Sequence, residues 1–425
     1  VAIERASSVL ERVLRRSPSL SLPNANHAAL PRHVDLCARS RYIAEQLARH
    51  PVLLDELLDP NILSGEVTKQ QLEFELRQRL DLSDADDSEA RILIISQFQR
   101  AAMFRIAVAD FNGALPIMKV SDGLTWLAEV VLSEMLQVAW QDLVARHGEP
   151  TCLADGTPRK AGFGIIAYGK LGGLELSYGS DLDIVFLHDS CGSRQITSGE
   201  KPLDNSLFYG RLVRRLVHFL TTQTGSGALY EVDTRLRPDG HKGLLVTSTD
   251  AFERYQEENA WTWEHQALLR ARPVAGSEAI AEEFARIRDE TLINRVKRGT
   301  LREDVVSMRQ RMRRELDRSN VDQFDLKHGA GGIGDIEFLV QYLVLLQAKQ
   351  HPAVIEYSDN IRQLDALETA GCLESIVAER LRDCYRGYRL RQHHLVLDEQ
   401  APLLGIDEFV EERRFVIETW EQWLH

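Results

Sequence analysis

The stretch GSDLDIVF, residues 179–186, sets Asp181 and Asp183 one residue apart inside a run that otherwise reads as a buried β-strand. Residues two apart on a strand share a face, so the two carboxylates project together while Leu182, Ile184 and Phe186 point the other way. Carboxylates held that close repel, and keeping both ionised where water is partly excluded is unfavourable unless a cation or good donors compensate. A divalent metal is the economical compensation. Downstream, YEVDTRLRP at 230–238 repeats the arrangement: as a strand it places Asp233, Arg235 and Arg237 on one face and Val232, Thr234 and Leu236 on the other. Asp181, Asp183 and Asp233 together form a hard-oxygen site suited to Mg²⁺ or Mn²⁺, the donor set of two-metal phosphoryl and nucleotidyl transfer.

The residues around these acids fit an anionic substrate. YGKLGG, residues 168–173, follows a run of strand character, and Gly169 and Gly172 there let backbone N–H groups approach an anion closely. Gly179 and Ser180 supply a second tight turn with a hydroxyl donor. A triphosphate fits between these loops and the metals, with Lys170, Arg235 and Arg237 neutralising charge as pyrophosphate leaves. Two other roles stay open: Arg235 and Arg237 as ion-pair partners of the aspartates, and Lys170 as the cap of a surface turn.

Three kinds of element must position these groups. Residues 1–118 show helical periodicity broken at His50-Pro51, Asp59-Pro60 and Leu115-Pro116, an all-helical lead. The next helix is expected from Ser121-Asp122 to about Arg146, with Leu124, Leu127, Val131, Met135 and Val138 as its apolar stripe, and His147-Gly148-Glu149-Pro150 ends it. Between about 160 and 250 the period shortens: strands are expected at 163–168, 181–188 and 229–237, with a helix carrying Leu207, Leu212, Leu216, Phe219 and Leu220 between the last two. From Ser277 the chain is helical again, near 278–298, 300–318, 335–349, 359–370, 374–397 and 407–424, a bundle. The fold class is α+β, divided as helical lead 1–118, catalytic section 119–276 and helical bundle 277–425.

Composition narrows the function. The 425 residues carry a formal net charge of −13, which opposes a polynucleotide partner. Five scattered cysteines without a CxxC pair suit a reducing, cytoplasmic compartment. No apolar run is read as approaching the roughly 18 residues that span a bilayer, and the start VAIERASSVLERVLRR is charged and amphipathic, unlike a signal peptide. A chain beginning at Val1 fits a processed or excised piece of something larger.

Other motifs read more simply. Asp84-Ala85-Asp86 lacks flanking strand residues and is a solvated turn. HGAGGIGD at 328–335 contains G-x-G-x-x-G without a βαβ context and starts a helix. His393-His394 lie on a long helix without an acidic partner in sequence and are packing or surface residues. Residues 286–318 hold eleven Lys or Arg against six Asp or Glu, a solvated face or a dock for an acidic protein. Trp261 and Trp263 are assigned to core packing beside the active-site cleft rather than to base stacking.

The Gly turn, the D-x-D strand and the later third acid resemble the DNA polymerase β-like nucleotidyltransferase superfamily. More closely, AYGKLGGLELSYGSDLDIVFLHD, LYEVDTRLRPDG, NAWTWEHQALLRARPV and GGIGDIEFLVQYLVL resemble the bacterial bifunctional glutamine synthetase adenylyltransferase/adenylyl-removing enzymes. ARHPVLLDELLDP at 48–60 and LPIMKVSDGLTWLAE at 115–129 extend the likeness into the lead. That family has two similar halves, and this chain, with one set of motifs, resembles the C-terminal, adenylylating half. The resemblance implies a polymerase β-like core and transfer of AMP from ATP to a tyrosine of glutamine synthetase. It also implies stimulation by glutamine and the PII signal protein, and communication with the missing adenylyl-removing half. The C-terminal helices resemble those of the PII uridylyltransferase. Phosphorolytic removal of AMP and a non-catalytic nucleotide-sensing module are the alternatives.

Overall fold

The computed structural model describes residues 36, 40–54, 56, 67–84, 87–222 and 227–425. The Asp59-Pro60 turn, the N-terminal amphipathic run, Cys37 and Ala85-Asp86 lie outside them.

The described elements of the lead are all helices. In α1 (Arg41–Arg49) Ser40 Oγ accepts from the Ile43 N–H, and α2 (Lys69–Leu80) opens on a capping box between Thr68 and Gln71. α3 (Ser88–Phe111), capped by Asp87, packs along α4 (Ile117–His147). α4 starts directly after Pro116, earlier than expected, and Ser121 is buried within it. All five residues of its expected stripe are buried, and it stops at Gly148, whose φ of 76° a side chain would resist. Contrary to the sequence expectation, α3 is long and apolar enough to cross a bilayer; 61% of its most apolar window is nevertheless buried against the rest of the chain, as in a core helix.

The middle of the chain is richer in strands than its sequence pattern indicates. β1 (Pro150–Ala154), β2 (Thr157–Lys160) and β5 (Ser193–Thr197) form a small antiparallel sheet in the order β2-β1-β5. The main sheet runs β6-β4-β3-β8, from β3 (Phe163–Ala167), β4 (Leu182–His188), β6 (Val232–Asp233) and β8 (Arg272–Gly276), with β7 (Val246–Ser248) also paired to β4. β3 is antiparallel to β4 and β8, whereas β6 and β7 run parallel to β4. A turn of helix, α5 (Gly169–Gly172), follows β3, and α6 (Asn205–Thr221) supplies the expected apolar helix between β4 and β6.

The alternation of β4 divides two cores. Leu182, Ile184 and Phe186 pack with α3, α4 and α6, while Val185 and Leu187 join the core built by the C-terminal helices. α7 (Thr249–Glu258) and α8 (Thr262–Leu269) lead into that second layer. It comprises α9 (Glu278–Glu290), α10 (Leu301–Leu316), α11 (Ile333–Gln347), α12 (Asn360–Thr369), α13 (Ser375–Leu397) and α14 (Val410–Leu424), close to the expected spans. Unexpected is a short ladder between β9 (Gln323–Asp325) and β10 (Leu403–Gly405). The HGAGGIGD loop starts α11, where Asp335 accepts from the Gly331 N–H and pairs with Arg309 and Arg313. The fold is α+β.

Candidate active site

The parallel pairing of β4 with β6 sets Leu182 beside Val232 and Asp183 beside Asp233. Asp181 lies just before β4 and is exposed, and one carboxylate oxygen from each of Asp181, Asp183 and Asp233 lies within 4.8 Å of the others. Burial pushes the Asp183 carboxyl up to about 6, and the charges of Asp181 and Asp233 push in the same direction. Hydrogen bonds from Arg235 have the opposite effect on Asp233, holding it below the usual carboxylate range. The Arg235 N–H donates to Asp233 Oδ1 at 2.8 Å and its Nε to Oδ2 at 2.6 Å.

The expected strand at 229–237 is corrected. β6 is two residues long and the chain turns after Asp233, so Asp233, Arg235 and Arg237 do not share a strand face. Arg235 folds back onto Asp233 with its side chain 65% exposed, the ion-pair role left open above. Arg237 is buried and donates to the Thr234 carbonyl at 2.8 Å, Thr234 Oγ1 at 3.0 Å and the Gly243 carbonyl at 3.4 Å. Its Nε and Nη1 hold the turn together.

The glycine loop packs directly on the acids. Gly169 has φ +54°, and a Cβ there would stand 2.1 Å from Asp183 Oδ2; one on Gly172 would stand 1.9 Å from the Arg270 carbonyl. Gly179, at φ +67°, faces open space. Ser180 Oγ accepts from the Ser177 N–H at 3.2 Å and lies 2.9 Å from Ser177 Oγ, closing the turn ahead of β4. Lys170 is half-buried rather than a surface cap. Burial pushes it down to about 8, Arg389 and Lys327 add to this, and Glu337 and Asp181 oppose it.

Sequence reasoning missed what holds the loop. Glu175 is completely buried, ion-paired to Arg270, and accepts from the Asn360 N–H at 3.0 Å and Tyr385 OH at 2.7 Å. Burial alone would raise its carboxyl, but Arg270 and Arg389 overcome this and hold it below its usual range. Arg389 donates to the Glu175 carbonyl at 2.6 Å. The available signal was an acid between two leucines, Leu174 and Leu176, matched by an arginine at the end of the apolar run ALLR.

Two further readings change, and the packing role of His393 gains a partner. Trp261 and Trp263 are 70% and 38% exposed, so core packing is wrong for both: they open a helix at the surface. His393 does have an acid nearby in space, Asp110, with Nδ1 to Oδ2 at 3.9 Å, and it stands edge-on to Tyr178. Burial pushes it down to about 4, so it packs as a neutral ring. The basic run at 286–318 splits: Arg288, Arg298 and Arg309 are spent on internal carbonyls or on Asp335, while Arg311 and Arg314 remain exposed.

A family model described as glutamate-ammonia ligase adenylyltransferase matches residues 30–287, and one described as GlnD PII-uridylyltransferase matches residues 300–409. The chain is similar to proteins named bifunctional glutamine synthetase adenylyltransferase/adenylyl-removing enzyme. It is 51% identical over 420 residues to that of Thioalkalivibrio sulfidiphilus, covering 99% of this chain and 43% of the relative. Against the relatives from Pseudomonas aeruginosa and Pseudomonas syringae the identities are 47% and 46%, each covering 99% of this chain and 44% of the relative. The chain thus spans less than half the length of these relatives.

Proposed function

The chain belongs to the glutamate-ammonia ligase adenylyltransferase family, and on that premise we propose that it transfers AMP from ATP to a tyrosine hydroxyl of glutamine synthetase, releasing pyrophosphate. The observation that carries this reading is the cluster of three carboxylates within 4.8 Å beside a glycine loop. An all-oxygen donor set of this kind, with one member raised in proton affinity by burial and by the other two, fits a hard divalent cation. Asp181, Asp183 and Asp233 would hold Mg²⁺ or Mn²⁺, which when bound supplies positive charge to the phosphates and to the leaving pyrophosphate.

The chain's own residues do the rest. Gly169 and Gly179 keep the backbone bare beside the acids, while Gly172 lets α5 pack on the Arg270 carbonyl. Lys170 adds a cation from within the loop, while the exposed guanidinium of Arg235 can leave Asp233 at little cost because water replaces it. Tyrosine, with a pKa of about 10, is a poor nucleophile at neutral pH; Asp233, ionised at that pH, accepts its proton.

This reading assigns the chain to the adenylylating half of a longer protein, with a lead at 1–118, a polymerase β-like catalytic section at 119–276 and a regulatory bundle at 277–425. The end of β8 at Gly276 and the start of α9 at Glu278 support the last division. The match of residues 300–409 to the PII-uridylyltransferase model supports response to PII and glutamine through the bundle. Free Cys152, Cys191, Cys372 and Cys384 support a cytoplasmic setting.

The test is incubation with purified glutamine synthetase and α-labelled ATP, followed by mass mapping of the labelled tyrosine. Release of ADP from adenylylated glutamine synthetase and phosphate, without forward transfer, would replace the reading by adenylyl removal. Binding of ATP and metal without either turnover would replace it by nucleotide sensing.

A further inference from the structure

α8 and α10 border a groove of about 550 Å³ whose walls include Trp261, Trp263, Asp304, Met308, Arg311 and Arg314. Exposed tryptophans are uncommon on a surface with no partner, and Trp, Met and Arg are the side chains enriched at the centres of protein interfaces. The exposure is built in. Glu264 accepts from the Trp261 N–H at 2.9 Å and from Tyr255 OH at 2.8 Å, which fixes the start of α8 with both indoles outward.

At the groove two arginines stand against one acid. Asp304 is occupied by hydroxyls, with Oδ2 accepting from Thr262 at 2.6 Å and from Thr300 at 3.2 Å. Arg311 has only Glu315, at 3.6 Å with both side chains exposed, and Arg314 makes no ion pair or hydrogen bond among the described residues. Asp304, Met308 and Arg311 follow one another at helical spacing, and Arg314 continues the stripe. It runs about 15 Å along α10, the length of a peptide segment rather than of a small ligand. Behind the groove, burial raises the Glu264 carboxyl, and the charge of Asp239, in the turn that follows Asp233 and Arg235, pushes the same way.

We propose that this groove docks a segment of the protein substrate that carries acidic residues and an apolar side chain, anchoring it while the acceptor hydroxyl reaches the aspartates. The proposal rests on the reading that the substrate is a protein, glutamine synthetase. The apolar side chain seats on Trp261, Trp263 and Met308, and the acids meet Arg311 and Arg314.

The test is titration of the full chain with purified glutamine synthetase in the absence of nucleotide, followed by tryptophan emission. A blue shift is expected, absent in the Trp261→Phe, Trp263→Phe double variant. In the transfer assay, Trp261→Ala with Trp263→Ala, and separately Arg311→Glu with Arg314→Glu, should raise the KM for glutamine synthetase about 10-fold or more. The KM for ATP and the thermal midpoint should stay unchanged; the charge-reversed pair, lying wholly at the surface, guards against misfolding as the explanation. No emission shift, or an unchanged KM in both variants, overturns the proposal. So does a shift produced by raising the concentration of the chain alone, which makes the groove a contact between copies. Emission that responds to glutamine synthetase in a chain that transfers no AMP would sustain the dock and refute the chemistry instead.

Discussion

Glu175 and Asp183 lie eight positions apart in the sequence and are treated in opposite ways by the fold. Glu175 is sealed from water and fully answered: Arg270 pairs with it, Asn360 and Tyr385 donate to it, and its proton affinity falls. Asp183 is less deeply buried yet left facing Asp181 and Asp233, and its proton affinity rises. An acid that the chain balances with its own cations holds structure together. One that the chain leaves in excess is prepared for a cation from outside.

The contrast is broken most sharply by neutralising each acid. Asp183→Asn should lower AMP transfer about 1,000-fold or more, the scale of removing a principal electrostatic group at a reacting phosphate, while the thermal midpoint at pH 7 stays level or rises. Retained activity in that variant would remove Asp183 from the site. Glu175→Ala should weigh first on stability, since it leaves the buried Arg270 with Glu337 alone: a loss of about 3–5 kcal/mol in urea unfolding, with activity falling through the loosened glycine loop. Gly169→Ala lies between the two. Its Cβ would press on Asp183 Oδ2 at a backbone conformation that side chains resist, so a loss of about 1–3 kcal/mol and weaker metal binding by calorimetry are expected together.

A pH series sharpens the comparison further. The Asp183 carboxyl is raised from 3.8 in the unfolded chain to about 6 in the folded one. Below about pH 4 both states hold the proton. Between about pH 4 and 6 the unfolded chain releases it first, so stability drains away as pH rises, and above 6 the loss is complete. The midpoint of Asp183→Asn minus that of the wild type, without metal, should therefore grow from pH 4 to pH 7 in scanning fluorimetry. Added Mg²⁺ should close the gap at pH 7. A difference independent of pH would contradict the crowding of the three acids. The smallest effect belongs to Arg235→Ala: the ion pair is solvent-exposed, so no measurable change in midpoint is expected.

Much of this was legible because helices announce themselves by period. The C-terminal helices and the core-facing stripe of α4 follow from apolar residues at three- and four-residue spacing. The D-x-D on β4 was legible for a related reason, since alternation within an apolar run leaves two acids no other face. Short strands carry such a signal only where they are apolar throughout, as β3 is. β6 is too short to have a period, and the sequence could not show that the chain turns after Asp233 and diverts Arg237 into that turn. β2 and β5 are largely solvent-facing strands whose polar residues read as loop, and β1 is only five residues long. Tertiary partnership was the other blind spot. Glu175 meets Asn360 and Tyr385 from far along the chain, and nothing in the order NAWTWEH says that both indoles point outward.

Arg389 sits on α13 and donates both to the Glu175 carbonyl at 2.6 Å and to Ser121 Oγ on α4 at 3.2 Å. A cut at residue 276 would respect the order of the chain but not this wiring. The trimmed piece would keep every acid of the centre while losing the guanidinium, the phenol and the amide that hold the glycine loop beneath it. The last third of the chain is therefore the floor of the candidate centre, and fusions or shortened versions should leave α13 intact.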